Sequence, residues 1–173
     1  MNDRLDFGYL LKDTRAKVYL LWAFLAGGGF LATHYHQQPN INLAWTIIAL
    51  LGLGYMHKVM PMRATKFKQI WLAWFVPILF GLVVSILVFK VPAWTGLINY
   101  LGGFWLFVMA VGYFWNGLVD APARWYYICG ALNVVAGLAV FLNEPLVSGQ
   151  YLLAAIISAW SMLNLFIFRT VSS

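Results

Sequence analysis

The stretch from Arg124 to Arg169 constrains this chain more than any other. It reads RWYYICGALNVVAGLAVFL, then NEPLVSG, then QYLLAAIISAWSMLNLFIFR. Two apolar runs of about 20 residues, each long enough to cross a bilayer as a helix, are joined by a short link holding a proline. Lipid offers no partner for a free backbone amide, so apolar runs of this length satisfy themselves as helices. The stretch predicts a membrane hairpin, and the chain before it reads as two looser copies.

Composition supports that solvent assignment. Hydrophobic residues make up 63% of the 173 positions and charged residues 9%, against about 25% charged in soluble domains. The surplus apolar surface has to face lipid. Nine Trp, nine Tyr and thirteen Phe suit a chain that meets two membrane–water interfaces. The net charge of +6 does not signal nucleic acid, because the basic residues sort by link and anionic lipid headgroups account for them. Cys129 is the only cysteine, which excludes an internal disulfide and a cysteine-based metal cluster. No A-x-A site follows the first apolar run, so no cleavable signal is expected.

Taken in order, residues 1–17 mix charges with Leu5, Phe7, Tyr9, Leu10 and Leu11, and predict a cytoplasmic segment that lies as a short helix on the headgroups. Spans are expected over 18–33, 41–56, 69–89 and 96–118, followed by the two spans of the hairpin. Pro77 removes a hydrogen bond inside the third span and predicts a kink near Ala73. With six spans, one side of the membrane receives Arg4, Lys12, Arg15, Lys17, Lys58, Arg63, Lys66, Lys68, Arg124 and Arg169, and the other receives Lys90 alone. That asymmetry places both termini in the cytoplasm.

Pro39, Pro92 and Pro145, one in each outer link, recur at 53-residue intervals, and Gly28 and Gly81 share that spacing. A basic residue opens each unit (Lys17, Lys68, Arg124), with a tryptophan close behind. The expected fold is therefore all-α, a polytopic bundle of six transmembrane helices in three tandem hairpins. The units run over about 17–67, 68–123 and 124–169, and the tail is 170–173. Copies of two spans each are parallel, unlike inverted transporter halves.

Polar residues inside spans are the candidate sites. Gly130, Asn133 and Gly137 share one face of the fifth span, and Ala154, Ser158 and Ser161 one face of the sixth. Counted from the outer ends, Asn133 and Ser158 stand level, so the faces are expected to meet with Asn133 opposite Ser158. Such residues serve as interhelical glue or as the lining of a solute path. Asn116 stands one turn before Asp120 at the inner end of the fourth span, and Arg124, four residues on, is the expected ion-pair partner of Asp120. Asp120 is also a candidate proton-relay carboxylate. His34 and His36 flank the outer end of the first span and are candidate external pH sensors, since histidine changes charge in the mildly acidic range. His57 ends the second span at the opposite face, so it cannot share a haem with His34. Glu144 reads as a solvated link residue. No cofactor, metal ligand set or catalytic residue is expected. G-x-x-x-x-G-K-[ST], G-x-S-x-G, H-E-x-x-H and C-x-x-C are absent, and Gly102, Gly103, Gly112 and Gly117 read as packing positions.

The last unit, with Trp125, Gly130-Ala-Leu132, Gly137, Pro145 and the small-residue run from Ala154 to Trp160, resembles the HdeD-type family of small bacterial membrane proteins linked to acid resistance. The piece NGLVDAPARWYYICGALN is similar to the inner link and helix of the AmiS/UreI amide and urea channels, whose termini lie outside, the reverse of the charge sorting here. No site residue is carried over from either family. The first resemblance implies a stress-related membrane protein of a prokaryotic inner or plasma membrane, and the second a channel for a small neutral solute. The expected partners are the bilayer and a second copy or another membrane protein. An enzyme is the class with least support.

Overall fold

A computed structural model describes residues 14–36, 40–120 and 123–171. Among these the chain is helical throughout its length: α1 Thr14–Tyr35, α2 Ile41–Val59, α3 Thr65–Lys90, a 3₁₀ segment Pro92–Tyr100 leading into α4 Leu101–Val119, α5 Ala123–Leu142, the single turn α6 Glu144–Val147, and α7 Gln150–Val171. The segment expected to lie on the headgroups falls mostly outside the described residues. Five stretches are long and apolar enough to cross a membrane: Ala16–Tyr35, Thr65–Lys90, Pro92–Val119, Ala123–Leu142 and Gln150–Phe168. The 19-residue α2 carries Asn42, His57 and Lys58 near its ends and is not among them.

Successive long helices run antiparallel. The start of α1 meets the end of α2 through Trp22 and Met56, while Gly29 meets Trp45 and Ile48 nearer the opposite end. We call the end holding Lys58–Lys68 and Asp120 the basic end, and the other the proline end. One buried cluster (Tyr19, Trp22, Met56, Trp74, Tyr113, Tyr126) fills the basic half, and a second (Phe30, Trp45, Trp105, Leu106, Tyr151, Ala154) fills the proline half. Large apolar side chains such as Leu50, Phe80 and Val135 project outward, as suits a lipid-facing surface.

The first two hairpins are closed in the same way. In the first, Trp22 of α1 covers Gly52 of α2, and Trp45 of α2 covers Gly29 of α1. In the second, Trp74 of α3 covers Gly112 of α4, and Trp105 of α4 covers Gly81 of α3. Each glycine is a notch that a β-carbon would fill: it would stand 2.4 Å from the Trp22 ring, 2.9 Å from Trp45, 2.6 Å from Trp74 and 2.8 Å from Trp105. The hydroxyls one turn beyond the α1 and α3 glycines orient the proline-end rings. Trp45 Nε1 donates to Thr33 Oγ1 at 2.9 Å and Trp105 Nε1 to Ser85 Oγ at 3.0 Å, while those hydroxyls donate back to Gly29 and Gly81 carbonyls. The two proline-end rings then stack on each other, 5.5 Å between centroids and 16° apart. Gly28, which the proline spacing pairs with Gly81, has nothing within 4 Å; its neighbour Gly29 does that work.

Helix pairing departs from a picture of three self-contained hairpins. The most extensive contacts are between α1 and α7 and between α4 and α5, not within the hairpins. The reason is side-chain size. Gly27 against Ala155 and Ala159, and Gly103 against Gly137, let backbones close up. Pro77 lies inside α3, which continues through it. The Ala73 carbonyl, left without its helical amide by Pro77, lies 3.3 Å from where a Gly112 β-carbon would be.

Candidate functional site

Asp120, Asn116, Asn133, Ser158 and Ser161, five of the buried polar residues, line one seam, which starts at the basic end. The backbone turns extended at Asp120, after α4 closes with the Asp120 amide on the Asn116 carbonyl at 2.8 Å. This aims the carboxylate inward, where it is 1% exposed. Lys66, from the first turn of α3, places Nζ 2.9 Å from Oδ1. Tyr126 of α5 donates its hydroxyl to Oδ2 at 2.9 Å. The Tyr126 hydroxyl also bonds the Tyr19 hydroxyl of α1. With its one proton committed to the carboxylate, Tyr126 is the acceptor in that contact and Tyr19 the donor. Four helices are thus tied to one carboxylate.

The expected Asp120–Arg124 pair does not form. The i,i+4 spacing brings side chains together only on a continuous helix, and α4 ends at Val119 while α5 begins at Ala123. Arg124 instead stands over the Trp125 ring, 5.2 Å from its centroid. Asp120 is therefore drawn to a cation 54 positions earlier, which no local pattern marks.

Towards mid-bundle the seam continues through Tyr113 and Asn116 of α4, Cys129 and Asn133 of α5, and Ser158 and Ser161 of α7, all buried. Asn133 Nδ2 donates to the Cys129 carbonyl at 2.8 Å and to Ser161 Oγ at 3.2 Å, and Cys129 Sγ donates to the Ser161 carbonyl at 3.6 Å. Asn116 Nδ2 bonds the Gly112 carbonyl at 2.7 Å. Among the described residues, four buried atoms in this seam have no hydrogen-bond partner: Tyr113 Oη, Asn116 Oδ1, Asn133 Oδ1 and Ser158 Oγ.

Asn133 meets Ser161 rather than Ser158. Side chains on a helix lean towards its N-terminus, and α5 and α7 are antiparallel. Asn133 leans to the basic end and Ser158 to the proline end, so residues level at Cα diverge at their tips. Gly130 and Gly137 do not face α7 either. They seat Phe114 and Phe107 of α4. Tyr126 and Asn133 stand 52 positions after Trp74 and Gly81, and Tyr151 and Ser158 stand 46 after Trp105 and Gly112. Where the first hairpins put a tryptophan on a glycine, the third has tyrosines and small polar side chains.

At the proline end Gln150 closes the first turn of α4. Its Oε1 accepts from the Gly102 amide at 2.7 Å and its Nε2 donates to the Asn99 carbonyl at 2.6 Å. A cavity of about 60 Å3 opens there, lined by Thr33, Asn42, Trp45, Ser85, Trp105 and Tyr151. A second space of about 10 Å3 shares Trp45 and Trp105 as its wall, with Trp22, Ile48 and Met109 beyond. His34 ends α1 half-buried against Tyr35, with its Nδ1 enclosed and unpartnered; His36 is exposed. His57 lies edge-on to Trp71 at 5.8 Å. Among the described residues, no three His, Cys, Asp or Glu side chains come together.

These features define an all-α bundle with several apolar helices of membrane-spanning length and a buried polar seam. No protein-family model, curated relative or solved structure matches the chain.

Proposed function

We propose that the chain is a non-enzymatic integral membrane protein that crosses the bilayer six times as three tandem hairpins, with both termini cytoplasmic. The observation that carries this reading is the reciprocal seating of Trp22 with Gly52 and Trp45 with Gly29, recurring as Trp74 with Gly112 and Trp105 with Gly81. The intervals are 52 residues on the first helix of each pair and 60 on the second. Copied units give that pattern. The same rings occupy the bundle centre, which suits a filled scaffold better than a pore. α2 is not among the five stretches long and apolar enough to cross a membrane, yet it is seated on α1 as α4 is on α3, which supports counting it as a span. The resemblance of the third hairpin to the HdeD-type family adds an acid-stress setting to the proposal.

A second reading, a path for a small neutral solute, is favoured by the four unpartnered polar atoms between α4, α5 and α7. Swelling of proteoliposomes in urea, glycerol and ammonium separates the two. The scaffold predicts rates equal to protein-free vesicles. A rate above that baseline which Ser158→Trp abolishes would overturn it.

A further inference from the structure

The proposed scaffold role leaves the proline-end cavity of about 60 Å3 unused. Its floor is the stacked pair Trp45 and Trp105, and side chains from α1, α2, α3, α4 and α7 contribute to its wall. Thr33 and Ser85 are fixed there as acceptors. Each hydroxyl gives its one proton to a backbone carbonyl and takes the indole N–H of Trp45 or Trp105. A hydroxyl oxygen has two lone pairs, so each keeps one. Tyr151 supplies the opposite function. It is 4% exposed, and its hydroxyl forms no hydrogen bond among the described residues. The antiparallel α1 and α7 set Gly27 against Ala155 and Ala159. Six residues on from Gly27 is Thr33, and six back from the midpoint of Ala155 and Ala159 is Tyr151, so the two stand level. Each side chain leans towards its own helix N-terminus, so the tips part and leave a gap instead of a direct bond. The gap has an acceptor on one side and a donor on the other. Ile41, Phe89, Ile98 and Leu101 make the rest of the wall apolar.

These features select a ligand. About 10–15 Å3 admits one water, so 60 Å3 admits about four to six non-hydrogen atoms. Water alone would need about three hydrogen bonds per molecule, and the aliphatic and aromatic wall supplies few. Among the described residues no charged side chain lines the cavity, so an ion would lose its hydration for ring contacts that do not offset the loss. Urea, of the right size, has no apolar part to set against the aliphatic wall. A short-chain alcohol has both an alkyl tail and one hydroxyl that donates and accepts. We infer that this cavity is a binding site for a small alcohol, whose hydroxyl donates to Thr33 Oγ1 and accepts from Tyr151 Oη while its tail lies against Ile98 and Leu101. Ile41, Asn42 and Ile98 are half-buried at the proline end, so entry requires only their side chains to move. The site needs neither six spans nor conduction.

The test is nuclear magnetic resonance of the full chain in detergent micelles, with its tryptophan indoles isotope-labelled, titrated with n-propanol. The indole N–H signals of Trp45 and Trp105 report on the site. Those of the exposed Trp94 and Trp160 report on alcohol that has merely entered the micelle. The expected result is a saturable shift of the Trp45 and Trp105 signals that Trp94 and Trp160 do not share. From ethanol to n-propanol the affinity should rise about fourfold, the effect of one buried methylene. The longer n-hexanol exceeds the cavity and should give no saturable shift. Tyr151→Phe removes the donor and should weaken binding about fivefold. Ile98→Trp fills the space and should abolish binding while the other indole signals stay in place. Shifts at Trp45 and Trp105 that rise in step with those at Trp94 and Trp160, equal saturation by urea, affinity that keeps growing to n-hexanol, or binding unchanged in either variant would overturn the inference.

Discussion

Trp105 lies over Gly81 across the second hairpin, and seven residues along the same helix Gly112 receives Trp74 in return. The pair is a lock that works only while both notches stay empty. A methyl group at Gly81 meets the Trp105 ring at 2.8 Å, and overfilling a packed contact costs about 1–3 kcal/mol. Gly81→Ala and Gly29→Ala should each lower the apparent melting temperature in detergent. Gly28→Ala, which enters open space, should not. A Gly28→Ala loss equal to that of Gly29→Ala would refute the seating described here.

The ion pair at the basic end predicts an asymmetry. Lys66→Met removes the cation from a buried carboxylate that keeps its Tyr126 contact, whereas Asp120→Asn keeps the Tyr126 contact and frees an ammonium already 48% exposed. The lysine change should be the more damaging, by about 1–3 kcal/mol after allowing for its exposure. Combining the two should recover part of the loss. Simple additivity in thermal unfolding of the two single variants and the double variant would show that the pair is not coupled.

In the polar seam the prediction concerns which hydroxyl is used. Ser161 Oγ accepts from Asn133 and Ser158 Oγ has no partner. Ser158→Ala should be neutral or stabilising, since it removes an unmatched polar group. Ser161→Ala should cost about 0.6 kcal/mol, the average for such bonds in membrane proteins. Gly137→Leu should be far worse, and by separating α5 from α4 rather than from α7. Crosslinking of cysteine pairs across each interface would check which gap opens.

Topology is tested at Thr65, in the α2–α3 link. If the basic end is cytoplasmic, Thr65→Cys in intact cells stays unlabelled by an impermeant reagent and reacts after permeabilisation. Labelling without permeabilisation would invert the orientation.

If the protein responds to external acid, as the proposed stress setting implies, His34, half-buried at the end of α1, and His36, exposed just beyond it, are the residues to change. His34→Gln with His36→Gln should abolish a pH-dependent phenotype. An unchanged phenotype would move attention to Glu144.

The amino-acid sequence by itself determined the solvent, the helical class and the places where helices stop. Apolar run length decides whether a segment can sit in lipid, and Pro92 and Pro145 stand at the first turns of new helical segments, where a proline fits. It also marked Asn116, Asn133, Ser158 and Ser161 as the polar residues to watch, because a polar side chain in an apolar run stands out without any structure. Only the tertiary structure decided who meets whom. Asp120 finds Lys66 and Tyr126 rather than Arg124, Asn133 finds Ser161 rather than Ser158, and the notch beneath Trp45 is Gly29 rather than Gly28. Periodicity assigns a residue to a face within tens of degrees. A hydrogen bond or a ring seated on a glycine depends on helix rotation, side-chain lean and a fit within about 0.5 Å. Those quantities are set by all six long helices packing together, and no single stretch of the chain encodes them.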